Sequence, residues 1–167
     1  MGDTAAVMHT LFTHAEREVL LVSYAVYDGR RLFEPLARRM AERPGLAVTL
    51  CLDIARPYGN DEPAEAIVRR FALDFRSRHW PWATLPDLWY DPRSLETGEA
   101  RASLHAKCVV VDRREALVTS ANFTDAAQRR NIELGVAIRH RPTVERLSDY
   151  FTGLRHTGLL SRCRLGE

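Results

Sequence analysis

Short apolar runs set apart by amphipathic helical stretches leave this chain a narrow choice of folds. The run EVLLVSYAV (18–26) is brief and continuous, which suits a strand covered on both faces, and LAVTLCLD (46–53) is the next. Ahead of the first, Thr4 can cap a helix whose apolar side carries Val7, Met8, Leu11, Phe12 and Ala15, at the i, i+3, i+4 spacing of an amphipathic helix. Between the two runs, a turn at Asp28-Gly29 opens a helix with Leu32, Phe33, Leu36, Ala37 and Met40 on one side, and Pro44-Gly45 stops it. A third helix starts at Asn60 or Asp61, with Ile67, Phe71 and Phe75 inward and Arg69, Arg70, Arg76 and Arg78 outward. Further strands are expected at 87–91, 104–111, 115–121 and 131–140, with a loop over 92–102 and a short helix from Thr124. A last helix packs Val144, Leu147, Phe151 and Leu154. The order α-β-α-β-α-β-β-β-α-β-α predicts an α/β layered fold, helices flanking a mixed central sheet, in one domain spanning residues 1–167.

Composition agrees. A chain of 167 residues, 46% hydrophobic and 28% charged, is that of a soluble globular protein with a sizeable core. Its net charge of +2 excludes overall charge as the basis for gripping an anionic polymer, so any such grip rests on local clusters. Cys51, Cys108 and Cys163 are odd in number, widely spaced and without a C-x-x-C pair, which predicts reduced thiols and a cytoplasmic setting. Cys51 and Cys108 read as small buried hydrophobes. No apolar stretch reaches the roughly 18 residues that cross a bilayer, and the first residues lack the order of a signal peptide, so no membrane is expected. Trp80, Trp82, Trp89 and Tyr90 read as packing under a Pro-punctuated connection rather than as a platform for bases.

The chemistry concentrates in SLHAKCVVVDRREALVTSAN (103–122). Lys107 is the one lysine among 24 Lys and Arg residues, and it sits two positions from His105. Such a place calls for a compact ammonium rather than a planar fork. Strand alternation puts His105, Lys107, Val109 and Val111 on one face; Ser120 and Asn122 share parity on the next run, and Glu133 opens the one after. Pairing these runs would bring the five polar groups to one end of the sheet. A neutral imidazole can attack phosphorus and form a covalent intermediate. Lys107, Ser120 and Asn122 can hold non-bridging oxygens and offset the charge that builds in the transition state. Glu133 can accept the other ring N–H and fix the tautomer. An ammonium beside the imidazole opposes a second cation, so neither a metal nor a cofactor is expected. Asp53 ends a strand where ligands often sit, but a carboxylate would repel phosphate, and it is left out of the site.

The spacing H-x-K-x(4)-D-x(6)-G-S-x-N resembles the signature of the phospholipase D superfamily. His105, Lys107, Asp112, Ser120 and Asn122 match it at every spacing, with Thr119 in place of the glycine, and Asn131 with Glu133 resembles the downstream N-x-E. The resemblance implies a phospholipase D-like layered fold and His105 as the nucleophile. It also implies a second motif's histidine that protonates the leaving oxygen and then activates water, and Glu133 as the residue that orients the histidine. Asp112 has the opposite parity from His105, which predicts a structural role at the strand end. The continuation SANFTDAAQRRNIELGV (120–136) most resembles the phospholipase D-like component of bacterial DISARM antiphage systems.

One motif is present where the implied mechanism needs two histidines, and His9, His14, His79, His140 and His156 lie in no comparable setting. The resemblance therefore implies a homodimer with the active site at its interface. Arg113-Arg114 and Arg129-Arg130 adjoin the motif and are the candidate nucleic-acid contacts. The expected function is a metal-independent phosphodiesterase acting on nucleic acid, DNA foremost, in bacterial antiphage defence with other defence proteins as partners. Two alternatives stand beside it: a phospholipid-hydrolysing enzyme of the same chemistry, and a nucleic-acid-binding defence subunit with little or no turnover.

Overall fold

A computed structural model of the chain describes residues 4–98, 101–122 and 132–166. Among these, seven strands form the centre: β1 (Glu18–Ser23), β2 (Ala47–Leu52), β3 (Asp87–Tyr90), β4 (Cys108–Val111), β5 (Glu115–Thr119), β6 (Gly135–Ile138) and β7 (Ser161–Cys163). They make one sheet in the order β6-β5-β4-β1-β2-β3-β7. β1, β2 and β3 run parallel, and every other pairing is antiparallel, so the sheet is mixed as expected.

Helices cover both faces. On one side α1 (Thr4–His14), α2 (Gly29–Glu42) and α3 (Ala64–Asp74) bring Met8, Phe12, Phe33, Leu36 and Ile67 onto Val19, Leu21, Val109 and Leu117. On the other, α4 (Arg141–His156) lays Val144 and Phe151 against Leu20, Val22, Cys108 and Val110. Successive β1 residues thus enter different cores, which is why its sequence shows no polar alternation. Emptying a core position such as wholly buried Phe33 costs about 3–5 kcal/mol.

Several elements depart from expectation. α3 begins at Ala64, because Glu62 N–H closes onto Asn60 Oδ1 (3.0 Å) and Pro63 then starts the helix. It continues through a π-helical turn, Phe75–His79, to Trp80. That turn packs against the start of α2 so closely that a Cβ on Gly29 would lie 2.7 Å from the His79 ring, and Gly29 N–H donates to His79 Nδ1 at 3.1 Å. Trp80 is wholly buried beside Phe33, its indole N–H donating to Thr84 O at 2.8 Å, with Trp82 edge-on at 5.5 Å. These tryptophans pack under the connection. The strand β7, paired with β3, was not expected. The helix expected from Thr124 lies outside the described residues.

The strand expected at 104–111 starts at Cys108. Cys108 is the register partner of Val22, and β1 ends one residue later at Ser23, so residues 101–107 have no neighbour to pair with on that side. Cys51, Cys108 and Cys163 are free and buried, and burial pushes their thiols up to about 12, 12 and 11. Among the described residues no helix is long and apolar enough to cross a membrane.

Candidate active site

The open end of the β4–β5 hairpin gathers the motif. Thr119 N–H donates to Lys107 O (3.1 Å), and Ser120 N–H donates to Leu134 O (3.0 Å), which ties the segments carrying Lys107, Ser120 and Glu133 side by side. His105 and Lys107 therefore stand just off the sheet end instead of on a paired strand. Lys107 Nζ donates to His105 O (2.9 Å) and lies 3.2 and 3.3 Å from the two ring nitrogens. An ammonium only donates, so the contact is open to whichever ring nitrogen carries no proton. The imidazole is exposed, whereas Lys107 is 8% exposed. Burial holds the ammonium below the usual lysine range, and the nearby Glu133 carboxylate opposes that shift.

Ser120 and Asn122 complete the end. The Ser120 hydroxyl donates to Glu133 Oε2 and accepts from Leu134 N–H (3.1 Å). The contact shown for Glu133 is thus with this hydroxyl. Asn122 Oδ1 is buried with no hydrogen-bond partner among the described residues, a state that a built active site tolerates and a structural amide rarely does. Thr119, in place of the family glycine, is itself buried. Its hydroxyl donates to Leu134 O (3.2 Å) and accepts from Ala121 N–H (3.1 Å). Its register partner is Gly135, where a Cβ would meet the threonine side chain at an ordinary contact distance of 3.5 Å.

Two residues at the site escaped the sequence reading. Tyr24, just beyond β1, sets its ring 4.8 Å from that of His105 and 5.6 Å from Lys107 Nζ, a cation–π contact that walls the pair. Asp53, just beyond β2, accepts Leu104 N–H at 2.8 Å and so anchors the residue before His105. Burial raises its carboxyl above the usual range, partly offset by the Leu104 and Ser103 hydrogen bonds. The repulsion argument that set Asp53 aside overlooked these backbone and hydroxyl donors. The usable signal was position: both residues follow directly on parallel strands, at their C-terminal ends.

Other motif residues lie elsewhere. Asp112 is buried at the hairpin's turn, where its carboxylate accepts the N–H groups of Glu16, Arg17 and Glu18. Arg113 and Arg114 share that turn, at the far end of the hairpin from His105, and the structure does not bring them to the site. Arg113 donates to Asp149 (2.5 Å) and Ser148 (3.2 Å). Sequence adjacency misled here, because a strand of four residues at about 3.3 Å each separates turn from open end. Arg129, Arg130 and Asn131 lie outside the described residues. Among those described, no three His, Cys, Asp or Glu side chains form a metal-holding group.

An imidazole, an ammonium, a hydroxyl and an amide at the open end of a mixed sheet fit a phosphodiesterase hydrolase of the phospholipase D kind. The family model described as cardiolipin synthase, PLD-like domain, matches residues 8–155, and the chain belongs to this family. A search of the curated proteins returns no match. Among solved structures the chain is similar to Nuc, a phospholipase D family member from Salmonella typhimurium, at 18% identity and a TM-score of 0.62, over 95% of this chain and 89% of that one. NucT from Helicobacter pylori gives 15% identity and 0.62 over 90% and 86%. Phosphatidylserine synthase from Haemophilus influenzae gives 15% and 0.66 over 89% of this chain but 34% of its own.

Proposed function

We propose that the protein cleaves nucleic-acid phosphodiesters, DNA foremost, without a metal and through a phosphohistidine on His105. The observation that carries this is the contact of Lys107 Nζ with the His105 ring at 3.2 Å, with Ser120 and Asn122 at the same accessible sheet end. An unprotonated ring nitrogen attacks phosphorus, and the bond from phosphorus to the leaving oxygen breaks as that oxygen takes a proton from a second histidine. The second histidine then removes a proton from water, whose oxygen attacks phosphorus and breaks the P–N bond. This releases a phosphomonoester and restores both rings. Lys107 and the Asn122 amide N–H donate to the non-bridging oxygens, as does the Ser120 hydroxyl once it turns from Glu133 Oε2.

The second histidine is His105 of a second copy. His79, which lines the neighbouring cleft, is already engaged: Gly29 N–H occupies its Nδ1 and Asp74 lies 3.9 Å from its Nε2. Support for a homodimer comes from an apolar strip beside the site: Ile132, Leu134 and Val136, with Val118 facing Val136 across the pair, are all exposed along the edge strand β6. Such an edge calls for a cover. The role in antiphage defence is supported by the resemblance of residues 120–136.

A second reading, with a phospholipid as the diester, draws on the family description and on the same strip, which would face lipid in an unpaired protomer. One assay separates the readings. Plasmid and single-stranded DNA, and vesicles containing phosphatidylethanolamine, are incubated with protein in excess EDTA, with His105→Ala alongside. DNA cleavage that survives EDTA and vanishes in the variant is expected. Cleavage lost to EDTA, or headgroup release from vesicles with DNA untouched, overturns the proposal. DNA binding without turnover would assign the chain to a binding subunit.

A further inference from the structure

Next to the His105–Lys107 pair, the ends of β1 and β2 and the π-turn after α3 border a half-open cavity of about 700 Å³. That is within the roughly 300–1,000 Å³ of small-ligand sites. Tyr24 belongs to both places: it lines the cavity, and its ring lies 4.8 Å from the His105 ring. A diester whose phosphorus sits at His105 therefore has this cavity beside it, one substituent away.

The walls and the charges say what the substituent is. Tyr24, Tyr27 and Phe71 supply flat apolar surface, and Tyr27 is 65% exposed, an aromatic held open at the mouth. Asp28 and Asp53 supply carboxylates, while the cation present, Arg78, is tied to Asp74 at 2.7 Å. A second phosphate would be repelled here. A flat ring with N–H groups along its edge would be held, stacked on the tyrosines and donating to the carboxylates.

We infer that the cavity is a nucleobase subsite. It takes the base next to the scissile phosphate, between Tyr24 and Tyr27, with the base's amino and imino N–H groups donating to Asp28 and Asp53. Bases with an exocyclic amino group, guanine above all, are preferred to thymine. The inference rests on the nucleic-acid reading and adds to it a substrate preference that the His105 chemistry alone does not supply.

The test uses dinucleotides with a single phosphodiester: guanine on both sides, guanine replaced by thymine on either side, and an abasic sugar on either side. Removing the base on one particular side should lower kcat/KM about tenfold, the worth of one stacked base, and removing the other should change it little. Tyr27→Ala should cost a similar factor on the intact dinucleotide, and that loss should disappear on the substrate lacking that base. Asp28→Asn, which keeps a side chain tolerant of the positive φ of 51° there, should erase the preference for guanine over thymine. Equal losses for Tyr27→Ala on intact and abasic substrates, or no effect of removing either base, overturns the subsite while DNA cleavage stands. If the wild-type protein cleaves no dinucleotide or DNA but releases ethanolamine from phosphatidylethanolamine vesicles, the nucleic-acid reading falls, and the cavity is an amine-headgroup site instead.

Discussion

At the turn of the β4–β5 hairpin, Asp112 accepts three backbone N–H groups, from Glu16 (2.9 Å), Arg17 (2.7 Å) and Glu18 (3.0 Å). Its own carbonyl accepts from the Arg17 guanidinium (3.0 Å), and its N–H reaches Glu18 O (2.9 Å). At the hairpin's open end, by contrast, His105 is exposed and Asn122 Oδ1 has no partner among the described residues. One motif therefore serves two purposes. At the turn end Asp112 spends its polar groups on holding the α1–β1 link to the sheet, and Asp112 and Arg113 adopt positive φ (52° and 56°) to make that turn. The open end leaves the His105 ring accessible to a ligand.

Substitutions can break this contrast at either end. His105→Ala carries the largest effect: turnover of DNA should fall on the order of 10⁴-fold or more. The thermal midpoint should stay within about 2 °C, since the side chain is exposed. A folded variant that retains appreciable turnover would break the contrast at its chemical end.

Lys107→Arg comes next, with a loss of about 10²–10³-fold in kcat, because a planar fork cannot reproduce a compact ammonium against the imidazole. The pH profile sharpens the point. Burial lowers the Lys107 pKa from 10.5, so wild-type activity should decline at a pH below that value as the ammonium loses its proton. The residual activity of the Arg variant should lack this alkaline limb. For stability the sign is opposite. Between the lowered folded value and 10.5 the unfolded chain binds more protons, so the unfolding free energy rises with pH.

Asp112→Ala should act on stability instead. Orphaning three backbone donors costs about 2–4 kcal/mol, or roughly 5–15 °C in midpoint, with cleavage at low temperature within a few-fold of wild type. Calorimetry beside a cleavage assay separates the two ends directly. Arg113→Ala should do least. Its pair with Asp149 is partly exposed on one side and mostly exposed on the other, so about 0.5 kcal/mol or less is at stake, and cleavage should not change.

The sequence was most legible where patterns are local. The apolar runs placed β1 and β2, and the i, i+3, i+4 stripes placed α1 and α2, because burial on a known period needs no knowledge of neighbours. Legibility failed where a neighbour decides. β4 begins at Cys108, not Leu104, because β1 runs out at Ser23, and that freedom is what makes His105 accessible. β7 is three residues long and owes its existence to the β3 edge. In the site, the spacing from His105 to Asn122 was readable because a tight hairpin fixes it. Tyr24 and Asp53 reach the same place from 81 and 51 residues away in sequence, contacts that no local pattern encodes.

The covalent step is the centre of the account, and it can be read by mass. An oligonucleotide is mixed with protein in excess EDTA, the reaction is quenched with base during the first turnover, and the peptide containing residues 102–113 is weighed. The account predicts an acid-labile nucleotidyl adduct on His105, absent from His105→Ala. Single-turnover cleavage with no adduct, or an adduct on any other side chain, would contradict it.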